Sequence, residues 1–106
     1  IGVRLVGSEM CIRDRPEDIN KDFQKIYEDY YAHEKLVKVL KKGTVPEITN
    51  ISGMPTCEIA VSVKKSSNKL IINAALDNLL KGAASQAVQC FNLMHDIDEL
   101  HSLKYW

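Results

Sequence analysis

Two seven-residue runs, CEIAVSV (Cys57–Val63) and LIINAAL (Leu70–Leu76), flank six polar residues, KKSSNK (Lys64–Lys69). In the first run Cys57, Ile59, Val61 and Val63 alternate with Glu58, Ala60 and Ser62. That period of two is what a strand with one buried face requires. The second run is more continuously apolar, and the polar interval has turn chemistry. Together they predict an antiparallel hairpin, which is not stable in water without a covering element.

The flanking sequence supplies candidates for that cover. Asp18–Tyr31 reads as a helix, with Ile19, Phe23, Ile26 and Tyr30 on one stripe of a 3.6-residue period. Pro16, Glu17 and Asp18 suit its first turn, where a missing N–H costs nothing and carboxylates meet the positive end of the dipole. Lys35–Leu40 reads as a short strand, and Lys41–Pro55 as a loop punctuated by Gly43, Pro46, Gly53 and Pro55. From Asp77 to about Met94 runs a last helix. Leu80, Ala83, Ala84, Ala87, Val88 and Phe91 form its wide apolar stripe, expected to face the core. Asp77 is its expected N-cap, and Asp96–Trp106 has no period. The fold class is therefore α/β: helix, short strand, hairpin, long C-terminal helix. A chain of 106 residues is one domain at most, and this layout buries so little that it suits a part of a larger domain.

Composition excludes several classes of function. Lys+Arg and Asp+Glu balance at 14 each, so there is no basic excess for nucleic acid. No apolar run approaches the ~18 residues of a membrane span. Ile1–Met10 lacks the apolar core of a secretory signal, which leaves a cytoplasmic protein as the expectation. Cys11, Cys57 and Cys90 have no CxxC spacing and read as reduced thiols. Cys57 and Cys90 are expected as small buried hydrophobes, one on the strand's apolar face and one beside the helix stripe. His33, His95 and His101 lack metal-ligand spacing, so no metal site is expected. With no nucleophile–base set, no GxGxxG and no Walker loop, the chain does not read as a complete enzyme.

A compositional break falls near Pro16. All three arginines (Arg4, Arg13, Arg15) precede it, whereas residues 16–106 hold 11 lysines against 12 Asp+Glu, a net −1. Leu5–Arg15, LVGSEMCIRDR, is similar without a mismatch to the translation of a transposase-type sequencing adapter. Residues 1–15 are accordingly expected to be non-native, with no strand alternation, and residues 16–106 to carry the function.

The strongest chemical feature is LDNLLKGAASQAVQCFNLM, Leu76–Met94. It carries a strand end into a helix start, where free amides and partial positive charge can hold an anion or an amide-bearing ligand. Gly82 permits close backbone approach, and Asn78 offers both donor and acceptor. A plain capped helix fits the same residues.

That segment resembles the C-terminal end of the N-acetyl-γ-glutamyl-phosphate reductase family, within the semialdehyde dehydrogenase superfamily. The family helix reads DNLxKGAxGQAxQxxNLM. Asp77, Asn78, Leu79, Lys81, Gly82, Ala83, Gln86, Ala87, Gln89, Asn92, Leu93 and Met94 stand in the matching places, with Asp98 and Glu99 after them. Val37–Leu40, Gly43–Pro46, Gly53 and Cys57 also follow family order, so the likeness covers about Tyr27–Glu99. Ser85 replaces a family glycine, Met54 and Pro55 replace a Gly-Ser/Thr-Asn run, and Asp96 replaces a tail glycine.

The resemblance implies a fragment of the catalytic and dimerisation domain of a glyceraldehyde-3-phosphate-dehydrogenase-like enzyme. Its last helix (about 77–94) would pack toward a Rossmann domain upstream. It implies a cytoplasmic, NADP-dependent, homo-oligomeric reductase of the arginine pathway, acting on a small acyl phosphate through a thioester on a cysteine, with a histidine as acid/base. Both catalytic motifs lie upstream of this segment in the family, so no catalytic residue is assigned here. The cofactor-contacting residues it implies are Asn78, Lys81, Gly82 and Ala83. A reductase of the lysine (aminoadipyl) or aspartate pathway fits the same motif. A stand-alone interaction module, with the last helix as docking face, fits its stripe of small residues.

Overall fold

The computed structural model describes residues 8–103. Four strands form one sheet in the order β1-β4-β3-β2: β1 (Ser8–Asp14), β2 (Val37–Val39), β3 (Cys57–Lys64) and β4 (Lys69–Leu76). The hairpin is as expected. β3 and β4 pair antiparallel from Cys57↔Leu76 to Lys64↔Lys69. The turn between them is a single 3-10 turn, Lys65–Ser67, closed by Asn68 in the left-handed region (φ 51°), a conformation asparagine tolerates well.

The register puts Ile59 opposite Ala74, Val61 opposite Ile72 and Val63 opposite Leu70, all on one face. Helix α1 (Phe23–Tyr30) covers that face, and Phe23, Tyr27 and Tyr31 pack against Ile59, Val61 and Leu70. Burying each of those three side chains contributes roughly 1.5–3 kcal/mol. Two expectations for this helix are corrected. It begins at Phe23, because the Asp22 carboxylate accepts from the Lys25 N–H and caps it there. Its core-facing, partly buried stripe is Phe23, Tyr27 and Tyr31, whereas Ile26 and Tyr30 are exposed.

β2 runs parallel to β3, and the Leu40 N–H extends the ladder to the Ile59 carbonyl at 2.8 Å. Parallel neighbours need a long crossover. Residues 40–56 provide it, and within the expected loop they form a one-turn helix, α2 (Ile48–Ile51), whose Ile51 is fully buried.

Ser8–Asp14 forms the edge strand β1, antiparallel to β4 from Ser8↔Leu76 to Asp14↔Leu70. This departs from the expectation that residues 1–15 contain no strand. A ladder of backbone bonds requires no particular side chains, and Cys11, Ile12, Arg13 and Asp14 are all exposed. Leu5–Gly7 lie outside the described residues. No helix among the described residues is long and apolar enough to cross a membrane.

After β4 the chain passes through a π-helical turn, Leu80–Ala84, into α3 (Ser85–Met94). The expected helix thus exists, but its orientation is reversed. Ser85, Gln89 and Asn92 are its buried residues, while Ala83, Ala84, Ala87, Val88 and Phe91 of the apolar stripe are exposed. Cys90, expected inside, is exposed as well.

Candidate functional site

β4 ends at Leu76, and the next residue organises the junction. Asp77 is buried (4% exposed). Its Oδ1 accepts from the N–H groups of Leu79 and Leu80 at 2.9 and 3.2 Å, and its Oδ2 from the N–H of Gly53 at 2.8 Å. One carboxylate therefore caps the helix start and ties it to the crossover loop. Gly53 has φ +76°, a backbone that glycine adopts without penalty.

The π turn follows from two hydrogen bonds that span five residues, Gly82 N–H to the Asp77 carbonyl at 3.0 Å and Ala84 N–H to the Leu79 carbonyl at 2.9 Å. This brings Gly82 against Asn78. A Cβ at position 82 would lie 3.1 Å from Asn78 Oδ1 and 3.4 Å from Leu76 Cδ1. Glycine there leaves the half-buried Asn78 carboxamide its place at the helix start. Asn78 and Gly82, two of the expected cofactor contacts, are thus adjacent, and Ala83 lies exposed beside them.

Lys81 is placed differently. Its Nζ turns along the helix and donates to Gln89 Oε1 at 2.7 Å. Burial pushes its ammonium below the usual lysine range, against the opposing pull of Cys57, Cys90, Glu99 and Glu34. Gln89 in turn donates through Nε2 to Glu99 Oε2 at 3.1 Å. Lys35 Nζ lies 4.0 Å from Glu99 Oε1 and 3.8 Å from Asp98 Oδ2. Asn92 Nδ2 donates to the carbonyls of Glu99 and His101 at 3.2 and 2.9 Å.

These bonds explain why α3 turns its polar side inward. Gln89 binds the Glu99 carboxylate and Asn92 the carbonyls of Glu99 and His101, so the folded-back tail gives the two buried polar side chains the partners that burial requires. Reading the sequence for apolar period alone misses this network. The available signal was polar: Ser85, Gln89 and Asn92 recur at i, i+4 and i+7.

The remaining sequence-derived candidates do not join the site chemically. Cys57 is half-buried, and burial pushes its thiol up, opposed by Lys81 and assisted by Glu58. It packs as a small hydrophobe against the sheet's core cluster. His33, His95 and His101 are exposed. Among the described residues no three His, Cys, Asp or Glu side chains gather as a metal site.

A family model described as semialdehyde dehydrogenase, dimerisation domain, matches residues 8–78. Three curated relatives carry the name N-acetyl-gamma-glutamyl-phosphate reductase. The one from Thermoanaerobacter pseudethanolicus is 41% identical over 95 residues, covering 90% of this chain and 27% of the relative. That from Acinetobacter baylyi is 47% identical over 97 residues, covering 92% and 28%. That from Oceanobacillus iheyensis is 37% identical over 99 residues, covering 91% and 29%. The chain thus spans 27–29% of the length of these relatives.

Proposed function

The chain belongs to the semialdehyde dehydrogenase dimerisation-domain family, and we propose that it serves as the C-terminal segment of an N-acetyl-γ-glutamyl-phosphate reductase. The reaction is reduction of the acyl phosphate by NADPH to N-acetylglutamate semialdehyde with release of phosphate, in arginine biosynthesis. The relatives' shared name supports this reading. The observation that carries it in this chain is the junction at Asp77, where a buried carboxylate fixes a helix start that displays Asn78 next to a glycine.

NADPH supplies the hydride when bound, and the donor set at the helix start fits a nicotinamide carboxamide. Asn78 has both a carbonyl and an amino group to offer, and Gly82 has no side chain to crowd it. Gly82 and Ala83 present backbone at the same exposed turn. Lys81 acts from behind it, because its ammonium is bound to Gln89. No catalytic residue is assigned within the segment.

The outward apolar face of α3, with Phe91 55% and Met94 80% exposed, suits packing against a dinucleotide-binding domain elsewhere in the full protein. The sheet suits a homo-oligomer, and the setting is cytoplasmic. Leu5–Arg15 is read as adapter-derived on its likeness to an adapter translation alone; the family match begins at residue 8, and Ser8–Asp14 pairs with β4.

A chimera tests the proposal. Residues 16–106 replace the corresponding segment of the Acinetobacter baylyi reductase, and phosphate-dependent reduction of NADP is assayed with N-acetylglutamate semialdehyde and with its aminoadipate homologue. Activity on the first supports the assignment. A soluble, correctly assembled chimera that uses only the longer substrate, or neither, overturns it.

A further inference from the structure

A cavity of about 620 Å³ lies away from the Asp77 junction, between the start of α1, the turn after β2 and the end of β3. Phe23, Val61 and Val63 give it an apolar floor. Lys21, Lys42 and Lys65 line it from three different parts of the chain. The chain's net charge is zero, so this convergence is a local field and not a reflection of a basic protein. The one carboxylate in the lining, Asp22, already accepts the Lys25 N–H as the cap of α1. Among the described residues none of the three lysines has a carboxylate within ion-pair distance. Gly43, with φ +88°, lines the space together with Lys42, and nothing lies within 4 Å of where its Cβ would stand.

A concave site with an apolar floor and a few convergent charged groups is the usual form of a small-molecule pocket, the volume lies in the ordinary range for one, and three of the four charged side chains in this lining are cationic. We infer that this cavity binds a small anionic amphiphile, a molecule with a phosphate or carboxylate end and a short apolar body. The apolar body lies over Phe23, Val61 and Val63, and the anion is shared by Lys21, Lys42 and Lys65. A bare anion would leave the floor uncovered, and an uncharged body would gain nothing from the three exposed ammonium groups. A ligand with both parts uses the site most fully. This site is independent of the reductase reading, because none of its residues belongs to the Asp77 junction.

The test is a titration of the 106-residue chain, labelled with ¹⁵N, with octyl phosphate, octanol and inorganic phosphate. Octyl phosphate is expected to shift the amides of Asn20, Gly43, Ser62 and Lys65 saturably. Octanol and phosphate should bind at least about fivefold more weakly, and Lys42→Glu with Lys65→Glu should weaken octyl phosphate by about tenfold or more. Phe91→Ser, on the exposed face of α3, should leave the titration unchanged. The lysines are exposed, and an unchanged spectrum of the free double variant verifies its fold. Equal binding of octanol, shifts concentrated on α3, loss of binding in Phe91→Ser, or no saturable shift at millimolar octyl phosphate would each overturn the inference.

Discussion

The Asp77 carboxylate and the Gly53 amide, 24 residues apart in the chain, meet at 2.8 Å, and the same carboxylate receives the Leu79 and Leu80 amides. Three N–H groups therefore depend on one buried anion. Bonds to an ionised acceptor contribute more than neutral ones, and removing a shared acceptor strands each donor. Asp77→Ala is expected to destabilise the chain by about 2–4 kcal/mol, read as a lower urea midpoint. Asp77→Asn keeps one acceptor oxygen and should lose about half as much. Amide exchange at Gly53 should accelerate in both variants, which ties the loss to this contact and not to the helix alone.

That contact shows where sequence reading succeeds and where it stops. The cap role of Asp77 is local, so its position before an apolar period reveals it. Its bond to Gly53 is long-range and leaves no periodic trace. The hairpin was legible for the same reason as the cap: Cys57–Val63 alternates, and KKSSNK supplies the turn. α1 was legible as a helix but not in its start, because Asp18 and Asp22 offer competing caps and only Asp22 places Phe23 over Val61 and Leu70. The face of α3 was misread because apolar period presumes a core on that side. Here the folded-back tail claims Gln89 and Asn92 instead. Of the expected site, Asn78 and Gly82 come together, and Lys81 is drawn away by a glutamine eight residues on.

Helix α3 ends in a left-handed residue that is not glycine. The Ile97 N–H bonds to the Asn92 carbonyl at 2.8 Å across Asp96, which has φ 54°, the geometry of a Schellman end. Aspartate pays for that φ and also places a negative charge at the negative end of the helix dipole. Asp96→Gly is expected to raise stability by about 0.5–1 kcal/mol, with Asp96→Asn in between. Thermal melts of the three chains at low salt provide the comparison.

Ser85 is 6% exposed and its Oγ has no hydrogen-bond partner. Its hydroxyl carries a desolvation cost with no return, and serine is a weaker helix former than alanine. Ser85→Ala should stabilise by about 0.5–1 kcal/mol. A destabilised Ser85→Ala chain in urea titration would mean that the hydroxyl is bonded in solution.

Alkaline pH should weaken the fold through Cys57. Burial raises its thiol above the ordinary 9.0, so in the window just above that value the unfolded chain releases its proton first. Stability is then complete below the ordinary value and declines as pH rises through the folded one. Tyr27, raised from 10.0 by burial and by Tyr31, acts in the same sense further up. Lys81 opposes them. Its lowered value means that the unfolded chain holds the extra proton below 10.5, so its own contribution to stability increases with pH there. Urea midpoints at about pH 8 and about pH 10 should converge in Cys57→Ala relative to the parent chain. An undiminished decline in that variant would assign the effect to Tyr27 or to other groups.

The reversed face of α3 yields the sharpest contrast between neighbouring positions. Phe91 is 55% exposed and Asn92 is 3% exposed, so ordinary hydrophobic scales assign each to the wrong environment. Phe91→Ser removes little buried surface in this chain and should change its stability by less than about 1 kcal/mol while raising its solubility. Asn92→Leu keeps the branched shape but is bulkier, loses both bonds to the carbonyls of Glu99 and His101 and should cost about 2–3 kcal/mol. In a full-length protein that carries this segment the first ranking should change. If α3 packs there against the dinucleotide-binding domain, Phe91→Ser becomes strongly destabilising and impairs assembly, whereas Asn92→Leu keeps its cost. Parallel urea titrations of both variants, in the 106-residue chain and in the full-length protein, measure that change. An equally mild Phe91→Ser in both would mean that the apolar face of α3 remains open to solvent in the whole protein.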